Sequence, residues 1–219
     1  MPSFQAELAR QERWARLPAL ERARRPGAAV LTFDDGPDPE GTPAVLDALD
    51  AAGVRATFFL VGERLMKEIR RGREIADRGH EIALHGFAHT HHDELRDQAA
   101  RDDLARGLGT VEVACGRRPR FYRPPYGFFS DASHAACADL GLEPVYWSAW
   151  GSDWEAIGSE RIAELVTRDL EEGAIVLLHD SPAYAHRASA QATADAIPLI
   201  AESARERGLE LVPLGEALD

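Results

Sequence analysis

Leu31-Thr32-Phe33-Asp34-Asp35-Gly36-Pro37 ends an apolar, strand-like run that begins at Ala28. The run stops at two adjacent carboxylates and a Gly-Pro turn. Adjacent aspartates repel each other, and each loses hydration when partly buried. A divalent cation is the usual agent that offsets such a pair. The pair therefore points to a metal and to a division of labour. One carboxylate ligates the cation while its neighbour stays free to take a proton. The simpler reading is an exposed Asp-Asp-Gly turn after an edge strand.

Outward from this stretch, strand-like and helix-like segments alternate. Candidate strands are Ala28–Phe33, Ala56–Val61, Glu81–Leu84, Arg120–Arg123, Pro144–Ala149, Ala174–Leu178 and Glu210–Pro213. The first helix begins at Thr42-Pro43, an N-cap followed by proline at the first helical position, and stops at Gly53. Further helices are expected over Glu63–Arg78, Asp93–Val113, Ser130–Leu140, Ser159–Glu171 and Gln191–Arg207. About seven short strands alternating with helices imply a parallel α/β sheet. No Gly-rich phosphate loop follows the first strand, where a nucleotide-binding open sheet would carry one. Polar residues gather instead at the C-terminal ends of several strands, which suits a barrel.

Those strand ends carry the chemistry. The third runs into His85-Gly86-Phe87-Ala88-His89. Histidines at i and i+4 on one helical turn would bring both imidazoles to one ion. Two histidines, a carboxylate and open positions for water make a catalytic rather than a structural metal site. His91 and His92 follow at once, so the ligand choice stays open, as does a solvated His-rich loop. The fourth strand ends in Arg123-Pro124-Pro125-Tyr126-Gly127. The arginine keeps its proton and can pin a carboxylate, and the prolines stiffen the loop that presents Tyr126. The fifth gives Trp147, Trp150, Asp153 and Trp154; indoles suit flat sugar faces, with core packing the default for Trp147. The sixth ends in Leu177-Leu178-His179-Asp180, where an imidazole can serve as a general acid.

Composition bounds the rest. The 219 residues suit one domain with a full core. The formal net charge of -12 argues against nucleic acid and anionic membrane as partners. Residues 1–26 are the exception, with six Arg and three Glu, and Phe4, Leu8, Trp14 and Leu17 are spaced as in an amphipathic helical extension. Residues 27–219 are then the catalytic domain. No run of eighteen apolar residues occurs, and the N-terminus shows no apolar signal core, so a cytoplasmic location is expected. Cys115 and Cys137 have no partner at metal-ligand spacing.

The order Asp-Asp, His-x3-His, Arg-Pro-Pro-Tyr, Asp-Trp, Leu-x-His resembles the NodB-type polysaccharide deacetylases, carbohydrate esterase family 4. The likeness runs from about Ala28 to Leu218, with TFDDGPDPEGTPAVLDAL, GVRATFFLVGER and YRPPYG as its strongest stretches. It implies a distorted (β/α) barrel. It also implies a metal-dependent hydrolase that removes acetyl groups from N-acetylated amino sugars or glycoconjugates by attack of metal-bound water. Carried over by motif, Asp34 matches the general base and Asp35, His85 and His89 the metal ligands. Arg123 resembles the residue that orients the base, His179 the general acid, and Asp153 the carboxylate that tunes it. The backbone N–H of Tyr126, next to Pro125, would help to hold the oxyanion, and Leu177 and Trp154 would line the acetyl pocket. Zinc is the default metal, with cobalt, nickel or iron as alternatives. The implied partner is an acetylated carbohydrate; the oligomeric state is not implied.

Two positions depart from the pattern. Gly86 stands where the family usually has Ser or Thr, which removes a hydroxyl that would steady the metal loop. Trp150 stands where Asp or Asn is frequent, and adds an aromatic wall. Alternatives on the same scaffold are an O-acetyl esterase, a hydrolase of a non-sugar amide, and a metal-containing binding protein without turnover.

Overall fold

The computed structural model describes Glu12 and residues 16–219. The extension expected over residues 1–26 lies outside the described residues at Phe4, Leu8 and Trp14. Strand β1 (Ala28–Asp34) is buried along its whole length, so its sequence is continuously apolar rather than alternating. The other strands are β2 (Thr57–Leu60), β3 (Glu81–Leu84), β4 (Phe121–Tyr122), β5 (Glu143–Pro144), β6 (Ala149–Trp150), β7 (Ile175–His179) and β8 (Glu210–Leu211). Their order is β5-β4-β3-β2-β1-β7-β6, every pairing is parallel, and β8 pairs with the start of β1.

The sheet curls into a distorted barrel. The expected strand Pro144–Ala149 is two short ones, because this run leaves one edge of the sheet and joins the other. Between them the N-terminal segment fills the gap: Leu20 N–H donates to the Pro144 carbonyl at 2.9 Å, and the Leu20 carbonyl accepts from Tyr146 N–H at 2.8 Å. Ser148 N–H then reaches the Ile175 carbonyl at 3.0 Å.

Helices α1 (Gly41–Ala52), α2 (Gly62–Lys67), α3 (Ile69–Asp77), α4 (Asp97–Cys115), α5 (Asp131–Leu140), α6 (Ser159–Arg168) and α7 (Gln191–Glu206) cover the outside. The helix expected over Glu63–Arg78 breaks at Glu68, whose ψ is 44°. Leu65 and Ile75 are both buried. A straight helix would set them about 80° apart, and the break lets both reach the core. The helix expected from Asp93 starts only at Asp97, after a 3-10 turn over His92–Glu94. Among the described residues no helix is long and apolar enough to cross a membrane.

Strand periodicity decides what faces the barrel axis. Val30, Phe59, Ala83, Phe121 and Ile175 form one buried cluster inside the barrel. Leu31, Phe33, Phe58, Leu60, Leu84, Val176 and Leu178 form another between strands and helices. Continuing the inner rows by two residues leads from Val30 to Thr32 and Asp34, from Ala83 to His85, from Phe121 to Arg123, and from Ile175 to Leu177 and His179. The polar residues singled out in the sequence thus converge on the axis at one mouth.

Candidate active site

Asp34 closes β1, and its neighbour in register on β7 is His179. Arg123 is fully buried below them, with its guanidinium 4.2 Å from the centroid of Phe59. It donates to Asp34 Oδ1 and to Thr32 Oγ1, each at 2.8 Å, and to the Tyr146 carbonyl at 2.8 Å. Burial lowers the pKa of Arg123 while Asp34 raises it, and the group keeps its charge. One oxygen of Asp34 is therefore tied down from below.

Asp35 has φ 75°, a left-handed conformation that is uncommon outside glycine. Its carboxylate meets His85 and His89. His85 Nδ1 lies 2.8 Å from the Arg123 carbonyl, so that nitrogen carries the proton and Nε2 presents a lone pair. His85 Nε2 and His89 Nε2 lie 3.4 and 3.0 Å from Asp35 Oδ1. Yet Asp35 Oδ1 and His89 Nδ1 are buried with no hydrogen-bond partner among the described residues. One ligand atom from each of Asp35, His85 and His89 falls within 4.8 Å of the others. Converging lone pairs around an unsatisfied oxygen fit a divalent cation. Burial lowers the pKa of His89, which keeps its ring neutral and able to ligate. Burial pushes Asp35 up, but the two imidazoles and His179 hold it well below the usual carboxylate range.

The expected helical turn over 85–89 is absent. This stretch is an irregular loop that pivots on Gly86, at φ +83°. The loop brings the two rings together, with centroids 5.3 Å apart. The two histidines that follow are placed elsewhere: His92 is buried between Asp103 and the Tyr122 hydroxyl, and His91 stacks on Tyr126 at 3.8 Å.

Across the mouth, His179 Nδ1 lies 2.8 Å from Asp153 Oδ1. Asp153 Oδ2 accepts from His179 N–H at 2.9 Å and from the Thr193 hydroxyl at 2.7 Å, and Arg187 Nη1 is 3.4 Å away. Burial works against the charge on His179, but the ionised Asp153 outweighs it and the pKa is pushed up to about 9. His179 is an imidazolium at neutral pH. Trp154 sets its ring edge-on to His179, with centroids 5.8 Å apart, and Leu177 precedes it by two residues on the same inner row.

Tyr126 sits in a 3-10 turn over Pro125–Gly127 at φ 60°, half exposed beside the site, with Pro125 buried. Tyr184 stacks flat on His89 at 3.9 Å and its hydroxyl donates to Glu63. Arg187, Thr193, Tyr184 and Asp103 were not anticipated from sequence. Each joins the site from a remote loop or helix without a motif of its own. The ensemble offers a restrained carboxylate, a cation-ready cluster and a protonated imidazole around one space, as acyl-transfer hydrolysis requires.

Residues 21–145 match the family model described as polysaccharide deacetylase. The chain is 35% identical over 194 residues to a chitooligosaccharide deacetylase of Bradyrhizobium sp. (strain ANU 289), covering 85% of this chain and 89% of that one. Among solved structures it resembles a peptidoglycan N-acetylglucosamine deacetylase (TM-score 0.86, 28% identity, 93% and 94% of the two chains). It also resembles a CE4 family pseudoenzyme from Bacillus anthracis (TM-score 0.83, 25% identity, 93% and 69%). This chain belongs to the polysaccharide deacetylase family, of NodB or carbohydrate esterase 4 type.

Proposed function

We propose that the protein is a metal-dependent deacetylase of N-acetylglucosamine-containing glycans of the chitooligosaccharide or peptidoglycan kind. The observation that carries this reading is the opposition of Asp34, tied to Arg123, and His179, tied to Asp153, across a cluster of three metal-type ligands. The kinship with chitooligosaccharide and peptidoglycan deacetylases supports the substrate class.

Asp35, His85 and His89 would hold the cation, with zinc the default for this donor set. When bound, such a cation polarises the scissile carbonyl and acidifies water. Asp34 takes the proton from the attacking water. Arg123 holds the other side of that carboxylate and keeps its free oxygen aimed at the mouth. The backbone N–H of Tyr126 donates to the carbonyl oxygen as charge develops there, and Pro125 limits the motion of that turn. His179 delivers its proton to the departing nitrogen, which would leave poorly as an amide anion. Leu177 and Trp154 flank the acetyl methyl.

The complete acid and base set supports turnover over binding alone. The test is acetate release by zinc-loaded protein from N-acetylglucosamine oligomers, monomeric acetylated sugars and O-acetylated xylan. Release from the oligomers is expected, falling ~100-fold or more in Asp34→Asn. Release from xylan alone would replace the reading with an esterase, and release unaffected by Asp34→Asn would remove Asp34 from the base role.

A further inference from the structure

The loop His85–His89 carries two candidate metal ligands but belongs to no helix or strand. Its geometry must come from its neighbours. On one side Gly62 N–H donates to the Gly86 carbonyl at 3.0 Å, and Glu63 N–H to the Phe87 carbonyl at 2.8 Å. On the other side lies α4. The Asp103 carboxylate accepts from Phe87 N–H at 2.8 Å through Oδ2 and from Ala88 N–H at 2.9 Å through Oδ1. Its Oδ2 also lies 3.2 Å from Nε2 of the buried His92, whose Nδ1 is 3.0 Å from the Tyr122 hydroxyl.

The fit is close. A Cβ on Gly86 would stand 2.9 Å from Asp103 Oδ2, and a Cβ on Gly107, one turn further along α4, would stand 2.8 Å from Phe87 N. Arg106 lies over the Phe87 ring at 3.6 Å. Neither Asp103 nor Arg106 belongs to the ligand cluster.

We propose that Asp103 is the positioning residue of the metal loop. By bridging two consecutive N–H groups between the two histidines, it sets the distance of His89 from Asp35 and His85. A carboxylate from a neighbouring helix thereby does the work of a local hydroxyl at position 86. A charged acceptor suits this task, since bonds to an ionised carboxylate are stronger than neutral ones. The charge also bears on His92, which is held between Asp103 and Tyr122 and so kept away from the cation.

The inference rests on the reading that Asp35, His85 and His89 hold a cation, and the experiment separates the two. Wild type and Asp103→Asn are stripped with a chelator, and zinc affinity is measured by competition with a chromophoric chelator. Wild type is expected to bind, and Asp103→Asn to bind ~10–100-fold more weakly, the usual loss when an outer partner of a metal ligand is removed. A purely structural role would lower the melting temperature of both forms and leave zinc affinity alone. Unchanged affinity in a folded Asp103→Asn protein overturns the role of Asp103 and leaves the metal reading intact. A wild type that takes up no zinc overturns the metal reading and the inference with it. Should the variant fail to fold, amide exchange in metal-free wild type decides. Slow exchange at Phe87 and Ala88 is expected, and exchange at the rate of an open loop overturns the proposal.

Discussion

Asp153 and Asp35 are both buried carboxylates at the same barrel mouth, and they differ in what surrounds them. Asp153 meets His179 Nδ1, His179 N–H, the Thr193 hydroxyl and the Arg187 guanidinium. Its charge is matched by protein groups alone. Asp35 faces the imidazoles of His85 and His89, the latter kept neutral by burial, and its Oδ1 forms no hydrogen bond among the described residues. A buried acceptor without a partner costs about 1–3 kcal/mol, and more when ionised. The acid side of the site is satisfied as folded, whereas the Asp35 side leaves a buried oxygen without a hydrogen-bond partner among the described residues, as the proposed cation would require.

The largest expected effect tests that contrast directly. Zinc at 1,000 times its dissociation constant should stabilise the protein by about 4 kcal/mol, because it binds the folded state alone. Chemical denaturation with and without zinc would measure this. His179→Ala should keep the full increment, and Asp35→Ala should lose nearly all of it. Equal loss in both variants would break the division into two halves.

The next effect lies on the acid side. His179→Ala should lower kcat on an N-acetyl substrate ~100-fold or more, equivalent to about 2.7 kcal/mol of barrier. A matched O-acetyl substrate should lose much less, since an alcohol leaves with less need of a proton. Steady-state kinetics on the pair would decide, and equal losses would show that His179 does not protonate the leaving group.

The two halves also differed in how far sequence could reach them. The cluster of Asp35, His85 and His89 was legible because its parts are marked in the chain: Asp35 in an Asp-Asp pair, and His85 four residues from His89. Even so, the i,i+4 spacing suggested a helical turn, and the loop reaches the same convergence through Gly86 at φ +83°. The barrel was legible from the alternation of apolar runs and helices and from the polar residues at the C-terminal ends of several strands. Its closure was not, because Leu20 joins the Glu143–Trp150 run across a gap that no local pattern marks. Partners supplied by long-range packing left no signal either. Arg187 and Thr193 lie 34 and 40 residues from Asp153, and Asp103 reads in the sequence as one more exposed acid on a helix. The departure at Gly86 was visible as a missing hydroxyl, while what stands in its place required α4 to be set against the loop.

The smallest expected effect sharpens the account of the acid side, where two groups act on one imidazole with opposite sign. Asp153 raises the pKa of His179 to about 9, so the general acid holds its proton below that value and activity should fall as pH rises through it. The same shift stabilises the fold: its contribution is fully present below about 6.5, the unfolded value, and is lost as pH rises through about 9. Asp153→Asn removes the anion that offsets burial, so the alkaline limb of kcat/KM should move to lower pH. Arg187→Gln removes a cation that competes with His179 for the same carboxylate. Its limb should move the other way, by less, since Arg187 stands further from Asp153 than His179 does. The contrast is read between variants loaded with the same metal. Profiles that moved in the same direction would mean that Asp153 and Arg187 act on His179 by holding its position rather than its charge.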